Sequence, residues 1–217
     1  LMGSKMPYDS PQDFATIGLA TYVPYALAVT GSLPVNNVKD LIELARATPR
    51  KLNFASPGVG TPNHLGGAQL TTLTGIELVH VPYKGSSIAI IDLLAGNVQL
   101  MITGLLTLLP HHQTGRLKIL GVGHQERLKA YPEFPIIAET VPGYYNTGWW
   151  GIAAPAGTPK AIVDRLNAIM NKALATPEVA QRFEKVGLQV ATSTPRGFHD
   201  LIVTDQEMWK KLIKDAK

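Results

Sequence analysis

The sequence contains no cysteine, which removes disulfides, thiolate chemistry and Cys-ligated zinc together. The absence says little about compartment, because 217 residues with 45% apolar composition can build a core without covalent staples. No stretch approaches the roughly 20 apolar residues needed to cross a bilayer. No basic-then-apolar leader opens the chain either, so no signal peptide is visible in it. Charge is sparse: the balance is +4, and Lys39, Arg46, Lys84, Arg116, Lys129 and Lys160 are scattered rather than interleaved with aromatics. The densest group, Lys210, Lys211, Lys214 and Lys217, falls on a terminal helical pattern and reads as a solvated face. Nucleic acid is therefore not expected as a partner.

What is present is an alternation of strand and helix patterns, which predicts an α/β architecture with mostly parallel strands. Residues 25–30 read as a buried strand and 38–45 as an amphipathic helix capped by Asn36 or Asn37. A helix is predicted over 62–74, ended by Gly75. A strand over 77–81, a helix started by Ser86 or Ser87 and closed by Gly96, and a strand over 98–102 follow. A short helix over 105–113 and a strand over 117–122 complete the block. Between Arg127 and Gly148 the rhythm breaks into Pro-rich and aromatic sequence, as in a connecting segment. Three helical patterns come after it. Thr158-Pro159 reads as an N-cap and N1 pair for the first. Thr176-Pro177 opens the second, which is predicted to stop at Gly187, and Thr194-Pro195 opens the third. A short strand over 188–191 separates the last two.

Residues 53–70, NFASPGVGTPNHLGGAQL, hold the most informative local pattern: a strand that runs through a Gly-rich turn into a helix. It is not a P-loop, because no Lys follows the glycines. It is not the dinucleotide fingerprint, because Asn63 stands where a third small residue is needed. It is not a nucleophile elbow, because Ser56 is followed by Pro57 and lacks a Gly two residues before it. Thr61 suits an N-cap and Pro62 the N1 position, which leaves the N–H groups of Asn63 and His64 pointing forward. Such a terminus favours an anion by about 0.3–1 kcal/mol when exposed and up to ~2 when partly buried. Most capped helix starts bind nothing, and spacing leaves both readings open. Beside a helix N-terminus, a buried His64 is expected to be neutral.

Other chemistry is thinly represented. His111 and His112 are adjacent and do not share a helix face, His124 lies on a later loop, and no metal-ligand spacing occurs. No bound metal and no cofactor is expected. Trp149-Trp150 could line a pocket or sit in a strand with one ring half exposed. Lys84 could meet an anion, but a turn lysine is the simpler reading.

The placed residues resemble a known family: the substrate-binding receptors of tripartite tricarboxylate transporters, also called Bug receptors. The resemblance rests on Met6-Pro-Tyr-Asp with Asp13-Phe14, Leu52-Asn-Phe-Ala-Ser-Pro-Gly58 with Gly60-Thr61 and His64, and His80-Val-Pro-Tyr-Lys-Gly85. It continues through Asp92-Leu-Leu with Gly96, Val98-Gln99 and Met101, then Leu109-Pro-His111, Gly115-Arg-Leu-Lys118 and Ala154-Pro-Ala-Gly-Thr-Pro159. It implies a type II periplasmic-binding fold, two βα lobes that close on a small carboxylate outside the cytoplasm. In that family the loop and helix start matching 56–64 face the cleft.

The resemblance implies a first lobe that is incomplete here, with several βα units and a second Gly-rich loop lying before residue 1. Pro24 and the Gly/aromatic segment near 145–150 then mark the crossings. Residues 1–24 and 148–217 are expected to form part of one lobe and residues 25–147 a complete second lobe. Thr103 and Gly104 stand where the family often carries an acidic and amide pair. That removes a partner for a ligand ammonium and favours di- or tricarboxylates, or an aromatic carboxylate near Trp149. The expected ligand site is Ser56, Gly58, Gly60, Thr61, Asn63, His64, Thr103, Gly104 and Trp149. In the expected mode, the N–H groups of Asn63 and His64 and the hydroxyls of Ser56 and Thr61 hold the carboxylate. A periplasmic, monomeric receptor that partners membrane transporter subunits, with no catalytic residue, is the resulting expectation. A ligand sensor for a membrane signalling partner is one alternative. A small-molecule hydrolase is another, and it would need a nucleophile–base pair that the spacing does not offer.

Overall fold

The protein was analysed as a computed structural model, which describes residues 7–185 and 188–215. The backbone divides into two compact units, Pro24–Thr147 and a second one drawn from residues 7–23 and Gly148–Lys214.

In the first unit, β2 (Asn53–Ser56), β3 (Val79–Pro82), β4 (Leu100–Gly104) and β5 (Leu117–Val122) lie with the second half of β1 (Phe14–Thr30) in the order β3-β2-β4-β1-β5. β2 is parallel to both β3 and β4, whereas β1 is antiparallel to β4 and to β5. Four of these strands therefore share a direction, and β1, inserted between β4 and β5, runs against them.

Strand periodicity sends alternate side chains to opposite faces, and both faces of this sheet are covered. Leu27, Val29, Phe54, Leu100 and Ile102 pack on one side with α1 (Val38–Ala47) and α2 (Pro62–Thr74). Ala26, Ala28, Ala55 and Met101 face the other, against α3 (Ser86–Ala95) and α4 (Leu105–Gln113). A register shift between Leu27 and Ala28 opposite β5 puts Leu120 in the first layer and its neighbour Ile119 in the second. Such a two-sided sheet explains why its strands read as continuous apolar runs.

Local chemistry sets the helix ends. Asn37 Oδ1 accepts the Asp40 N–H at 2.8 Å, and Asp40 Oδ2 accepts the Asn36 N–H at 2.9 Å. Thr61 caps α2, and Gly75 closes it at φ 68°, where only glycine is unstrained. The observed bounds of α2, α4 and β5 match the predicted ones.

Several predicted boundaries move. The strand expected from residue 25 begins at Phe14, so Pro24 lies inside it. Proline is tolerated there because it has no ladder N–H to lose: Thr21 and Tyr22 pair with β7 (Gln189–Val190), and pairing with β4 starts only at Tyr25. Glu77 and Leu78 fall outside β3, and β4 runs two residues later than predicted. Thr158 does not cap α5 (Lys160–Leu174), because Pro159 has an extended ψ of 137° and takes the cap position itself. The stop expected at Gly187 lies outside the described residues.

The second unit joins the first half of β1 to β6 (Thr147–Pro155) and β7, with α5, α6 (Pro177–Lys185) and α7 (Pro195–Asp215). Polar ties bind it: Asn167 Nδ2 donates to Ile17 O at 2.7 Å and to Ser193 O at 2.8 Å, and the Leu19 N–H donates to Ser193 Oγ at 2.9 Å. Thr194 caps α7, its Oγ1 accepting the Gly197 N–H. Trp150 and Ile152 of β6 and Ile162, Leu166 and Ile169 of α5 are exposed.

Gly67 lets α2 approach the sheet, because a Cβ there would lie 2.2 Å from Phe54 Cζ. Gly67→Ala gains about 1 kcal/mol in helix propensity but overpacks the core by about 1–3 kcal/mol. A lowered urea midpoint is expected; an unchanged or raised one would show that the Phe54 ring yields freely.

Candidate functional site

Because β2, β3 and β4 share a direction, the turns that follow them into α2, α3 and α4 gather at one edge of the first unit's sheet. Carboxyl ends of strands beside helix N-termini are where open α/β sheets bind ligands. The sequence-predicted residues of this unit meet at that edge. Ser56 ends β2, Gly58, Gly60 and Thr61 form the turn, and Asn63 and His64 open α2. Thr103 and Gly104 end β4, which neighbours β2, and Asn63 Nδ2 ties the two by donating to Ile102 O at 2.7 Å.

The turn is held by its own polar groups. Ser56 is fully buried; its Oγ accepts the Gly58 N–H at 3.2 Å and lies 3.0 Å from Gly58 O and 2.7 Å from His80 Nε2. Thr61 Oγ1 donates to Gly58 O at 2.7 Å and accepts the His64 N–H at 3.3 Å. The Gly60 N–H donates to His64 Nδ1 at 3.1 Å. Gly58 and Gly60 take φ of 145° and 81°, which side chains rarely adopt.

Three of the expected donors already have partners. The hydroxyls of Ser56 and Thr61 and the N–H of His64 are engaged within the turn, because a buried hydroxyl or amide must find a partner. The N–H groups of Val59 and Asn63 have no acceptor among the described residues. At α4, whose cap residue Gly104 offers no side chain, the N–H groups of Leu105 and Leu106 have no helical acceptor. No carboxylate occurs within residues 56–64 or 103–106, so the edge is suited to an anion.

Trp149 is the one expected site residue outside the first unit. It belongs to the second unit, where its indole N–H donates to Asp205 Oδ2 at 2.6 Å and its ring stands edge-on to Phe198 at 5.1 Å. Burial raises the Asp205 pKa, and the Trp149 hydrogen bond opposes that rise.

His80 is the residue that sequence reasoning missed. Its ring stacks on that of His64, with centroids 4.0 Å apart and planes 20° apart, and Phe54 lies 5.0 Å away. Burial lowers the pKa of His64, and burial with the nearby His64 lowers that of His80 to about 4. The signal was pairing register, since His80 sits opposite Phe54 across the β2–β3 ladder. Spacing also hid the Ser56–His80 contact, which joins a hydroxyl to an imidazole across 24 residues. It is a poor nucleophile–base pair: Ser56 has no solvent access, and a base with a pKa of about 4 draws little proton near neutrality. Among the described residues, no group of three or more His, Asp or Glu side chains could hold a metal ion, and no helix is long and apolar enough to cross a membrane.

Comparison with known proteins adds an independent line. Residues 1–217 match the family described as the tripartite tricarboxylate transporter family receptor. A UPF0065 protein from the tcbD-tcbE intergenic region of Pseudomonas sp. (strain P51) is 40% identical over 215 residues, which is 98% of this chain and 64% of that protein. The chain thus spans less than two thirds of the length of that curated relative. Among solved structures, an R. palustris protein with adipate is 34% identical at a TM-score of 0.88, covering 98% of this chain and 71% of that one. The periplasmic binding protein BugD is 31% identical at a TM-score of 0.83, covering 96% of this chain and 71% of its own.

The lowered His80 pKa fixes a pH dependence. The unfolded chain takes up a proton near the ordinary value of 6.5, and the folded one only near pH 4. Between those values the unfolded state holds more protons, so this contribution to stability is intact above the window and falls as pH falls through it. Urea midpoints measured across the window should drop more steeply for the wild type than for His80→Gln. Parallel profiles would remove His80 as the cause.

Proposed function

The chain belongs to the tripartite tricarboxylate transporter receptor family, and from that membership we propose that it captures a small dicarboxylate outside the cytoplasm for membrane transporter subunits. The observation that carries this reading is the sheet edge where α2 and α4 begin. The N–H groups of Val59 and Asn63 at the start of α2, and of Leu105 and Leu106 at the start of α4, have no acceptor among the described residues, and neither segment carries a carboxylate. Gly58, Gly60, Asn63, His64, Thr103 and Gly104 keep their place in the proposed site. Ser56 and Thr61 shape it, and Trp149 of the second unit stays an expected contributor from there. The adipate named with the R. palustris structure supports a linear dicarboxylate as the ligand class.

The proposed protein is a periplasmic binding receptor that acts as a monomer without catalysis. Membership in a receptor family supports the last point. Its two units correspond to the two expected lobes. The first is Pro24–Thr147, and the second is drawn from residues 7–23 and Gly148–Lys214.

Energetics set the expected affinity. Hydrogen bonds to a charged group contribute roughly 1.5–3 kcal/mol each, against an association cost of about 4–15 kcal/mol. A few amide donors therefore give weak binding to this chain alone. A dissociation constant for adipate near ~1 mM, equivalent to about 4 kcal/mol, is expected from calorimetry. A longer receptor with the region that the relatives carry beyond this match is expected to bind far more tightly. In nitrogen–proton correlation spectra, adipate should move the amides of Val59, Asn63 and Leu105 most. A shift map centred elsewhere, or no binding by either protein, would overturn the assignment.

A further inference from the structure

The two histidines beside the turn do something that a plain helix-terminus anion site does not require. His64 Nδ1 accepts the Gly60 N–H at 3.1 Å. An imidazole nitrogen that accepts an amide carries no proton, so the neutral ring has its hydrogen on Nε2. A second proton on His64 has one place to go, which is Nδ1. There it would turn the acceptor into a donor facing a donor. The clasp on Gly60 and the charged form of His64 are therefore mutually exclusive.

His80 reinforces this from behind. Its ring stacks at 4.0 Å on His64, and its Nε2 lies 2.7 Å from Ser56 Oγ, the hydroxyl that holds Gly58. Two imidazolium rings at that separation would repel strongly. The remaining surroundings do not supply a counter-charge within the stack. Phe54 of β2 packs on the rings. The hollow of about 380 Å³ beside His80 is lined by Arg50 and Glu77, one of each sign, together with Thr71 of α2. Tyr83 and Asp92, beyond β3, are bonded to each other at 2.7 Å.

We propose that His64 and His80 are positioning residues that hold the turn in its anion-ready shape only while both rings are uncharged, so that one proton on His64 releases Gly60 and loosens the site. Burial lowers both pKa values, which keeps the clasp closed at neutral pH and places its opening in acidic solution. By reciprocal linkage, an anion that prefers the clasped turn drives a proton off the pair. Acidification therefore weakens anion capture even though it adds positive charge nearby. This consequence rests on the turn being the anion site; the clasp itself does not.

The test separates the two. Protection of the Gly60 amide from hydrogen exchange is followed from about pH 7.5 to about pH 4.5, alongside the ring resonances of His64. The wild type should lose about fivefold in protection as His64 titrates, the scale of one amide hydrogen bond. His64→Asn, which offers an amide oxygen near the position of Nδ1 and cannot titrate, should keep the protection throughout. His64→Phe, which preserves the stack but has no acceptor, should lack it at every pH. A wild-type Gly60 amide that ignores the titration of His64, or a pH-dependent loss that persists in His64→Asn, overturns the clasp. Calorimetry with adipate over the same range reads the functional arm. Adipate's own carboxyl groups begin to take up protons at the acid end of this range, which affects both proteins alike. Affinity should therefore fall more steeply in the wild type than in His64→Asn, and parallel profiles overturn the coupling. Adipate that binds at no pH refutes the carboxylate reading and leaves the amide profile to decide the clasp.

Discussion

Ser56 has no access to water, so its hydroxyl must find every partner inside the protein, and the turn from β2 into α2 takes its form from that requirement. Gly58 closes on it from the front and His80 supports it from the neighbouring strand. Thr61 then repeats the arrangement one step later, bonding the same Gly58 carbonyl while capping α2. Each group that is satisfied within the turn is one that cannot face a ligand. What is left unpaired at the turn is main chain: amide groups that helical geometry leaves without acceptors. The chemistry offered at this edge is consequently that of a rigid backbone rather than of mobile side chains.

Rigidity of that kind depends on how closely α2 lies against the sheet. Gly66 and Gly67 admit Asn146 and Phe54 where side chains would collide. Asn146 Nδ2 donates to the carbonyl of Pro62, the first residue of the helix, and Asn63 Nδ2 to that of Ile102. The start of α2 is thereby fixed to β4 on one side and to the segment after β5 on the other. The three-layer packing that builds the core and the placement of the amides are one arrangement.

The parts of this arrangement that were legible in the sequence are those governed by neighbouring residues. Thr61-Pro62 and Gly75 bracket α2 because cap and closing glycine act within one turn of helix. The same holds for Asn37 at α1 and Gly96 at α3. Illegible were the features decided by residues far apart. Pro24 reads as a turn until the change of partners along β1 is known. The Ser56–His80 contact depends on the β2–β3 register, and a spacing argument cannot contain it. The partners that the Ser56 and Thr61 hydroxyls find within the turn were equally hidden, because the sequence places a hydroxyl without showing its other obligations. The Trp149–Asp205 hydrogen bond is hidden for the same reason, since its partners lie 56 residues apart.

β1 carries a consequence for how the chain comes to be folded during its synthesis. Its second half pairs with β4 and β5, whose last residue is Val122, so the first unit has all its strands once that residue has left the ribosome. The first half waits longer. The Thr21 hydroxyl bonds the carbonyl of Gln189, 168 residues away. At about 5–20 residues per second, the translation machinery takes several seconds or more to supply that partner. Until then an apolar strand edge attached to a finished unit stands open to any other extended chain. The interval is a hazard set by topology alone.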